Sequence, residues 1–416
     1  MDKNVIFHCD VNNAYLSWQS AYGVLNNGDI DYRDIPSVIG GSESKRHGIV
    51  LAKSTPAKKM GIKTGETLFS ARKKCRDLVV IPPRYDIYVK CSKAMIDLLS
   101  EYTPCIERTS IDECFLDFSG MDYLYSDYIK LAKEIQTKIY SELGFTINIG
   151  ISTNKLLAKM ASDFEKPNKI HTLWPEEVET KMWPLPIGKL YMVGKSSQRK
   201  LLGINIQTIG DLANADKDII TRLLKGNGDK LYRYSRGIED SKVISEEIEA
   251  KGIGNSTTMS FDVTDRHTAH MVLLSLCENV GMRLRREGKL CSTISINIKE
   301  SSFISYSKQK KSISPVDSTK RIYEEAIYLF DILWKGNPIR HLGVQVTDLT
   351  SEESAQLSLF DSLSSNKNKA LDITIDAIRN KYGNTSLVRS AFINSGLKSI
   401  AGGVSEDDYP KIQTTM

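Results

Sequence analysis

The chain has 416 residues, of which 41% are apolar and 26% are charged, a balance that is ordinary for a soluble globular protein. This length predicts several domains rather than one compact core. No apolar run approaches the ~20 residues that a membrane-spanning helix requires. The segment after Met1 lacks the basic and long apolar parts of a signal peptide. We therefore expect a cytoplasmic protein with no membrane partner.

Cysteine usage and charge narrow the class of protein further. The seven cysteines are scattered without a C-x-x-C pair, so we expect reduced core residues rather than a zinc or redox centre. The net charge is +5, and basic residues crowd the second half of the chain: Arg283, Arg285, Arg286, Lys289, Lys308, Lys310 and Lys311. Such a cluster favours a polyanionic partner, although a solvated basic face is the simpler interpretation of composition alone.

The amino-terminal half predicts a β-α-β unit that carries acidic residues. The apolar segment 5–9 predicts a buried strand with Asp10 at its carboxyl end and a helix from Ala14 onward. Residues 106–117 alternate like a hairpin, with Asp112 and Glu113 near its tip or on its second strand. A helix over 125–143, ended by Gly144, and a strand over 145–151 complete the unit.

Two further regions lie around this unit. Residues 26–74 alternate polar loops, glycines and short strands before a basic stretch, which indicates a small inserted module. Between residues 184 and 214, two glycine-marked turns, Val193-Gly194-Lys195 and Leu202-Gly203-Ile204, lie beside short helical stretches. Such helix-hairpin-helix turns can offer backbone N–H groups to phosphates, whereas plain helix packing is the alternative.

From about Lys251 the pattern becomes β-α-β-β-α-β. The predicted strands are 252–261, 290–299, 302–309 and 339–349, and the predicted helices are 267–288 and 318–334. Within 293–299, Ile294, Ile296 and Ile298 alternate with Ser295, Asn297 and Lys299, which predicts one core face and one polar, basic face. After Asp361 we expect an amphipathic helix that ends at Gly383, with Leu371, Ile375, Ile378 and Tyr382 on one side. The fold class is α+β.

The acidic residues suggest a metal site. Asp10 and the Asp112–Glu113 pair would meet if their strands were neighbours in one sheet. Converging carboxylates repel one another unless cations lie between them, and oxygen-only ligands favour Mg²⁺. Two such ions would serve phosphoryl transfer, one activating a 3′-hydroxyl and one holding a triphosphate. An acidic pair near a turn is more often merely solvated, so the surrounding sequence must decide whether these acids bind metal.

That context is a resemblance to the Y-family DNA polymerases, which runs from about residue 4 to about residue 360. The motifs that carry it are Phe7–Tyr15, Ser110–Glu113 and Gly150–Asp163 followed by Lys166-Pro167-Asn168. The resemblance implies that Asp10, Asp112 and Glu113 are the catalytic metal ligands, with the Val11 carbonyl as an additional ligand, and that two Mg²⁺ ions are the cofactors. It also implies that Lys166 reaches the triphosphate.

The resemblance extends to nucleotide contacts. The run Thr55-Pro56-Ala57-Lys58-Lys59-Met60-Gly61 resembles the fingers motif, whose first and fourth positions grip the β and γ phosphates. The family more often has Tyr and Arg there, so Thr55 and Lys58 keep a hydroxyl and a cation without the bidentate fork of arginine. Tyr15 matches the steric gate that excludes a 2′-hydroxyl, although an isolated tyrosine at this place would read as a core aromatic.

The implied architecture is a right hand with a little finger. The domains are a palm (1–22 and 78–166), fingers (23–77), a helix-hairpin-helix thumb (167–240), a β-α-β-β-α-β little finger (248–350) and a tail (351–416) with a short helix. The implied reaction is template-directed, error-prone addition of dNTPs to a primer 3′-hydroxyl on primer-template DNA. Every domain-sized region is then assigned, which leaves none for a proofreading exonuclease.

A short peptide predicts a further partner. Gln356, Leu357, Leu359 and Phe360 lie in a polar stretch where the family carries its sliding-clamp peptide, and isolated apolar residues there have no obvious core to join. We expect clamp binding by an otherwise monomeric enzyme.

Other interpretations remain open at this point. A palm-type nucleotide cyclase could use similar carboxylates, and a non-catalytic DNA-binding protein would keep the basic region without needing the acids. Within the family, the sequence does not decide between a polymerase IV-like enzyme and a polymerase V-like catalytic subunit. The slightly lengthened fingers and the helix-bearing tail, 366–383, differ from the shortest polymerase IV pattern.

Overall fold

A computed structural model describes residues 4–28, 30–44, 46, 48–246, 249–351, 363–393, 395–397 and 399–400. The described residues form two compact units, one from 4–41 and 49–246 and the other from 42–48 and 249–400. Helices and strands occur in both, as expected of the α+β class.

The first unit is built on a mixed five-stranded sheet of order β5-β6-β1-β7-β8. These strands are β1 (Ile6–Val11), β5 (Ile106–Arg108), β6 (Glu113–Asp117), β7 (Ile147–Ser152) and β8 (Ile170–Thr172). The central β1 pairs antiparallel with both β6 and β7. Every residue of β1 and β7 is buried, as the apolar character of these segments predicts.

Four helices flank this sheet: α1 (Ala14–Asn27), α4 (Tyr85–Leu99), α5 (Tyr128–Leu143) and α6 (Lys155–Ser162). The predicted helix over 125–143 begins three residues later because the Asp127 side chain caps it, accepting hydrogen bonds from the N–H groups of Ile129 and Lys130. It ends at Gly144, whose φ of 75° is the left-handed conformation that glycine adopts readily.

The inserted module is a three-stranded sheet of order β3-β2-β4, from β2 (Ser37–Gly40), β3 (Val50–Lys53) and β4 (Val79–Ile81). Two short helices accompany it, α2 (Thr55–Lys59) and α3 (Leu68–Lys74). Ser54 caps α2 by accepting a hydrogen bond from the Ala57 N–H, so the first turn of α2 starts directly after a strand.

The region 175–235 is a cluster of short helices around its own apolar core. Its α-helices are α7 (Lys195–Leu202), α8 (Ile209–Ala213), α9 (Lys217–Leu224) and α10 (Gly228–Ser235). The two glycine-marked turns predicted from sequence lie at the two ends of α7, with Gly194 before it and Gly203 after it.

The second unit contains an antiparallel sheet of order β11-β10-β12-β9 and three helices. Its strands are β9 (Gly252–Val263), β10 (Lys289–Glu300), β11 (Ser305–Val316) and β12 (Ile339–Ser351), and two of its helices are α11 (Arg266–Arg286) and α12 (Thr319–Leu333). The β-α-β-β-α-β order is confirmed. The isoleucines 294, 296 and 298 are at most 1% exposed, in agreement with the predicted core face. The β11 strand runs seven residues beyond the predicted end at 309, because Cys291 of β10 still pairs with Val316.

The third helix of this unit, α13 (Leu363–Tyr382), corrects one prediction. It ends at Gly383 as expected, where φ is 94°. However, Leu371 and Tyr382 of the predicted apolar face are 53% and 66% exposed, whereas Asp372 and Arg379 are almost fully buried. The most deeply buried residues of the helix are therefore charged, because α11 offers them charged partners, while Ile375 and Ile378 are half-buried.

Among the helices that the structure describes, none is long and apolar enough to cross a membrane. All seven cysteines are described, and each is a free thiol in a buried or half-buried position, as predicted.

Candidate active site

A cleft of about 770 Å³ opens in the first unit between the five-stranded sheet and the inserted module. It gathers every residue predicted to be catalytic, metal-ligating or nucleotide-binding: Asp10, Val11, Tyr15, Thr55, Lys58, Asp112, Glu113 and Lys166. The predicted clamp-binding residues, Gln356, Leu357, Leu359 and Phe360, lie outside the described residues.

Strand pairing places the acidic residues. Asp10, near the end of β1, is the register partner of Glu113, the first residue of β6. The backbone N–H of Val11 donates to the carbonyl of Asp112 at 3.0 Å. The condition set by the sequence, that the two acidic segments be neighbours in one sheet, is therefore met. The Ser110 hydroxyl donates to the Asp112 carboxylate at 2.6 Å and fixes its orientation.

Lysines are the cations among these carboxylates. Lys166 Nζ lies 2.7 Å from Asp10 Oδ2 and 2.8 Å from Asp163 Oδ1. Lys159 Nζ lies 2.7 Å from Glu113 Oε1 and 3.3 Å from Asp10 Oδ2. Within the described ranges, no three carboxylate, imidazole or thiol groups converge closely enough to enclose an ion. Ammonium groups thus offset the acidic charge in this arrangement.

The charges shift the ionisation of these groups. Burial raises the pKa of Asp10 and of Asp112 above the ordinary aspartate value. Burial also raises the pKa of Glu113, but His8 and Lys159 more than offset this, so that its pKa lies well below the usual range. For Lys166, burial lowers the pKa, yet Asp10 and Asp163 bring it above its ordinary value. Lys166 is therefore a stable cation beside the carboxylates.

Two residues of the site escaped the sequence interpretation. Lys159 lies within the third motif, and the sequence signal for it is its i,i+4 spacing to Asp163. His8 is fully buried behind Glu113, with Nδ1 2.8 Å from Ser162 Oγ and Nε2 3.7 Å from Glu113 Oε2. In the segment 5–9 it reads as one polar residue in a buried strand.

The loop that carries Lys166 is fixed to β1. Asn12 Oδ1 accepts from the backbone N–H of Asn168 at 2.8 Å, and Asn12 Nδ2 donates to Asn148 Oδ1 at 3.1 Å. Asn148 Nδ2 in turn donates to the Glu165 carbonyl at 2.6 Å. These amide contacts hold the loop so that the Lys166 side chain points at Asp10.

Tyr15 lies at the edge of the core and at the wall of the cleft. Its half-buried ring packs against the core of the first unit and also lines the cleft. It stacks on the ring of Tyr88, with centroids 4.4 Å apart. A ring that is supported in this way at the wall of a cleft is suited to a steric role.

The inserted module supplies a basic wall. Thr55 and Lys58 are exposed on α2, and Lys59 follows them along the cleft. Partial burial and the nearby charge of Lys58 lower the pKa of Lys53 on the preceding strand. Cations gathered on this wall attract a polyphosphate.

The donor set of the cleft fits a hard cation. Its acidic side offers carboxylate oxygens and the Val11 carbonyl, which are the ligands that Mg²⁺ prefers, and no thiol or imidazole is among the predicted ligands. An ion could bind there once the Lys166 ammonium leaves Asp10.

Not all of the basic residues that cluster in the second half of the chain are exposed to solvent. Arg285 is buried, with Nε 2.6 Å from Asp376 Oδ2. By contrast, Lys308, Lys310 and Lys311 are exposed on β11. The basic surface of the second unit is therefore smaller than the sequence predicts.

Comparison with known proteins identifies the family. The model of the impB/mucB/samB family matches residues 9–163, that of its C-terminal domain matches 250–359, and that of the IMS family HHH motif matches 175–206. DNA polymerase IV of Clostridium acetobutylicum is 50% identical over 391 residues, which cover 94% of this chain and 98% of that protein. DNA polymerase IV 1 of Bacillus subtilis is 38% identical over 390 residues, which cover 93% and 92%.

A solved structure has the same fold. A Y-family DNA polymerase chimera superposes with a TM-score of 0.71 at 22% identity, covering 83% of this chain and 99% of the chimera. Together with the relatives, this similarity assigns the palm, fingers, thumb and little-finger organisation. The chain belongs to the Y family of DNA polymerases, the metal-dependent nucleotidyltransferases that carry out translesion synthesis.

Proposed function

We propose that this polymerase adds dNTPs to a primer 3′-hydroxyl in the cleft, using two Mg²⁺ ions bound by Asp10, Asp112, Glu113 and the Val11 carbonyl. The observation that carries this proposal is the pairing of Asp10 with Glu113, because it brings both acidic segments to the mouth of one cleft. The bound ions would activate the 3′-hydroxyl and neutralise the triphosphate.

The protein residues would position the nucleotide. Lys166, now 2.7 Å from Asp10, would exchange this carboxylate for a phosphate oxygen when the dNTP enters. Thr55 and Lys58 would hold the β and γ phosphates from the opposite wall. Lysine acts there as a point charge and lacks the planar fork of arginine, so this grip would orient the phosphates less strictly.

The Tyr15 ring would lie beneath the sugar. A ribonucleotide carries a 2′-hydroxyl that would collide with the ring, whereas a deoxynucleotide would not. The support of Tyr15 by Tyr88 favours this role, because a ring that cannot move aside discriminates better.

We propose the following domain limits for the hand: palm 1–22 and 78–166, fingers 23–77, thumb 167–240, little finger 248–350 and tail 351–416. The turn at Gly194 before α7 and the exposed lysines of β11 would contact DNA phosphates without reading sequence. Binding of primer-template DNA should then weaken steeply as salt rises.

The cellular setting is part of the same proposal. The enzyme would be a cytoplasmic monomer of the polymerase IV type, as the names of its relatives favour. It would bind the sliding clamp through Gln356, Leu357, Leu359 and Phe360.

Primer extension tests the proposal. The purified chain, given Mg²⁺ and four dNTPs, should extend a primer on an undamaged template and past an abasic site. Incubation with ATP without DNA serves as the control for cyclase chemistry and should yield no cyclic product. If the chain extends the primer on neither template, the proposed activity is overturned.

A further inference from the structure

Helix α6 carries two buried lysines one turn apart, and they serve different acids. Taken as whole residues, Lys155 and Lys159 are each 8% exposed. Lys155 Nζ lies 3.0 Å from Glu107 Oε2, on the side of β5. Lys159 Nζ contacts Glu113 and Asp10, the two acids that pair across β1 and β6.

Lys159 differs from Lys166, the other lysine beside Asp10. The Lys166 side chain is 32% exposed and lines the cleft, so it can turn toward an incoming phosphate. The Lys159 side chain is 10% exposed, projects from a helix and is not part of the cleft lining. Its ammonium therefore stays among the carboxylates when a substrate enters.

The fixed charge of Lys159 has two opposing consequences. Buried carboxylates without a counter-ion are costly and repel one another, so Lys159 holds Glu113 and Asp10 in place in the free enzyme. The same ammonium also repels any divalent ion that approaches these oxygens. Acids that are already neutralised gain less by binding a metal.

We propose that Lys159 is a positioning residue that acts as a permanent internal counter-ion and weakens divalent-metal binding to the nucleotide-free enzyme. Metal loading is then tied to the arrival of the triphosphate, which brings negative charge to the cleft and draws Lys166 away from Asp10. This inference rests on the proposed ligand set of Asp10, Asp112 and Glu113.

Direct binding of Mn²⁺ to the full chain, without DNA or nucleotide, tests the inference. The free Mn²⁺ signal in electron paramagnetic resonance gives the affinity without any activity measurement. Lys159→Met removes the ammonium and should bind Mn²⁺ at least ~5-fold more tightly than the wild type, as expected for losing a unit charge beside a partly buried ion. Lys159→Arg keeps the charge and should retain the wild-type affinity.

Lys155→Met is the matched control. It removes a lysine of equal burial from the same helix and breaks a comparable ion pair, but that pair is with Glu107 rather than with the proposed ligands. It should leave the Mn²⁺ affinity unchanged. Lys159→Gln, which keeps a hydrogen-bond donor without the charge, replaces Lys159→Met if the methionine variant does not fold.

The possible outcomes distinguish a failure of the Lys159 proposal from a failure of the ligand set on which it rests. Unchanged or weaker Mn²⁺ binding by the uncharged Lys159 variants would overturn the role of Lys159, as would an equal gain in Lys155→Met. Asp112→Asn should lose Mn²⁺ affinity. If it binds Mn²⁺ as the wild type does, the proposed ligand set itself fails, whatever the Lys159 variants show.

Discussion

The ring of Tyr15 lies parallel to that of Tyr88, with the centroids 4.4 Å apart and an interplanar angle of 3°. Tyr88 is itself fully buried, and its hydroxyl donates to Gln19 Oε1 at 2.7 Å. The ring at the cleft therefore rests on a second ring that is fixed by packing and by a hydrogen bond. This stack supports a steric role for Tyr15.

We predict that Tyr15→Ala increases incorporation of ribonucleotides relative to deoxynucleotides by at least ~10-fold, because a methyl group cannot fill the space beneath the sugar. The ratio of kcat/KM for the two sugars measures this, and a factor of ten corresponds to about 1.4 kcal/mol of discrimination. Tyr15→Phe keeps the ring and should keep the ratio. An unchanged ratio in Tyr15→Ala would mean that Tyr15 is a core residue and does not contact the sugar.

A second prediction concerns the fingers. Lys58→Arg should lower the KM for dNTP several-fold, since a guanidinium can bind two phosphate oxygens at once. Steady-state kinetics of single-nucleotide gap filling would measure this KM. Lys63→Arg, on an exposed residue outside the cleft lining, is the control. Equal effects of the two changes would show a general effect of replacing lysine by arginine rather than a phosphate contact.

The tail helix provides a stability prediction. Arg379 Nη1 lies 2.6 Å from Glu278 Oε2, both side chains are 2% exposed, and Arg389 also contacts Glu278. Glu278→Gln leaves a buried arginine without its counter-charge and should destabilise the second unit by about 3–5 kcal/mol.

Urea unfolding of the full chain would measure this loss, as a shift of the transition that belongs to the second unit. Glu325→Gln, which breaks the partly exposed pair with Lys310, should cost no more than about 1 kcal/mol. A Glu278→Gln transition at the wild-type urea concentration would contradict a stabilising role for the buried network.

Replacing Leu359 and Phe360 by Ala should abolish stimulation by the bacterial sliding clamp while clamp-free extension stays intact. Each apolar side chain that becomes fully buried in a clamp pocket would contribute about 1.5–3 kcal/mol, and tethering to the ring raises the local concentration of enzyme at the primer. Product lengths with and without clamp measure the effect. An equal loss in both reactions would assign these residues to the stability of the polymerase.

Local sequence patterns predicted four of the five strands of the sheet that carries the site, all except β8, and also the core face of β10 in the second unit. The apolar segment before Asp10, the hairpin with Asp112 and Glu113, and the alternating isoleucines of β10 each depend on neighbours along the chain or across one strand pair. The polymerase resemblance then implied roles for Tyr15 and Lys166, which the structure places in the same cleft. The relatives extend over most of the tail, so the helix-bearing tail does not separate this chain from enzymes named DNA polymerase IV.

The features that escaped prediction depend on tertiary contacts. Lysine is mostly exposed, and the spacing of Lys159 to Asp163 indicates only an ion pair within one helix, so it does not reveal the buried contacts of Lys159 with Asp10 and Glu113. The periodicity of Leu371, Ile375, Ile378 and Tyr382 predicted an amphipathic helix. In the structure only Ile375 and Ile378 of these are half-buried, and the most deeply buried residues are Asp372 and Arg379. Arg285 and Glu278 on α11 decide that orientation, and they lie about 90 and 100 residues away in sequence.

The central claim is that Asp10, Asp112 and Glu113 hold the catalytic ions, and Asp112→Ala tests it most directly. Single-nucleotide incorporation and primer-template affinity would be measured on the same preparation. Incorporation should be abolished while DNA affinity stays within a few-fold of the wild type, because the acid binds ions rather than DNA. Extension at a rate near that of the wild type would contradict the account.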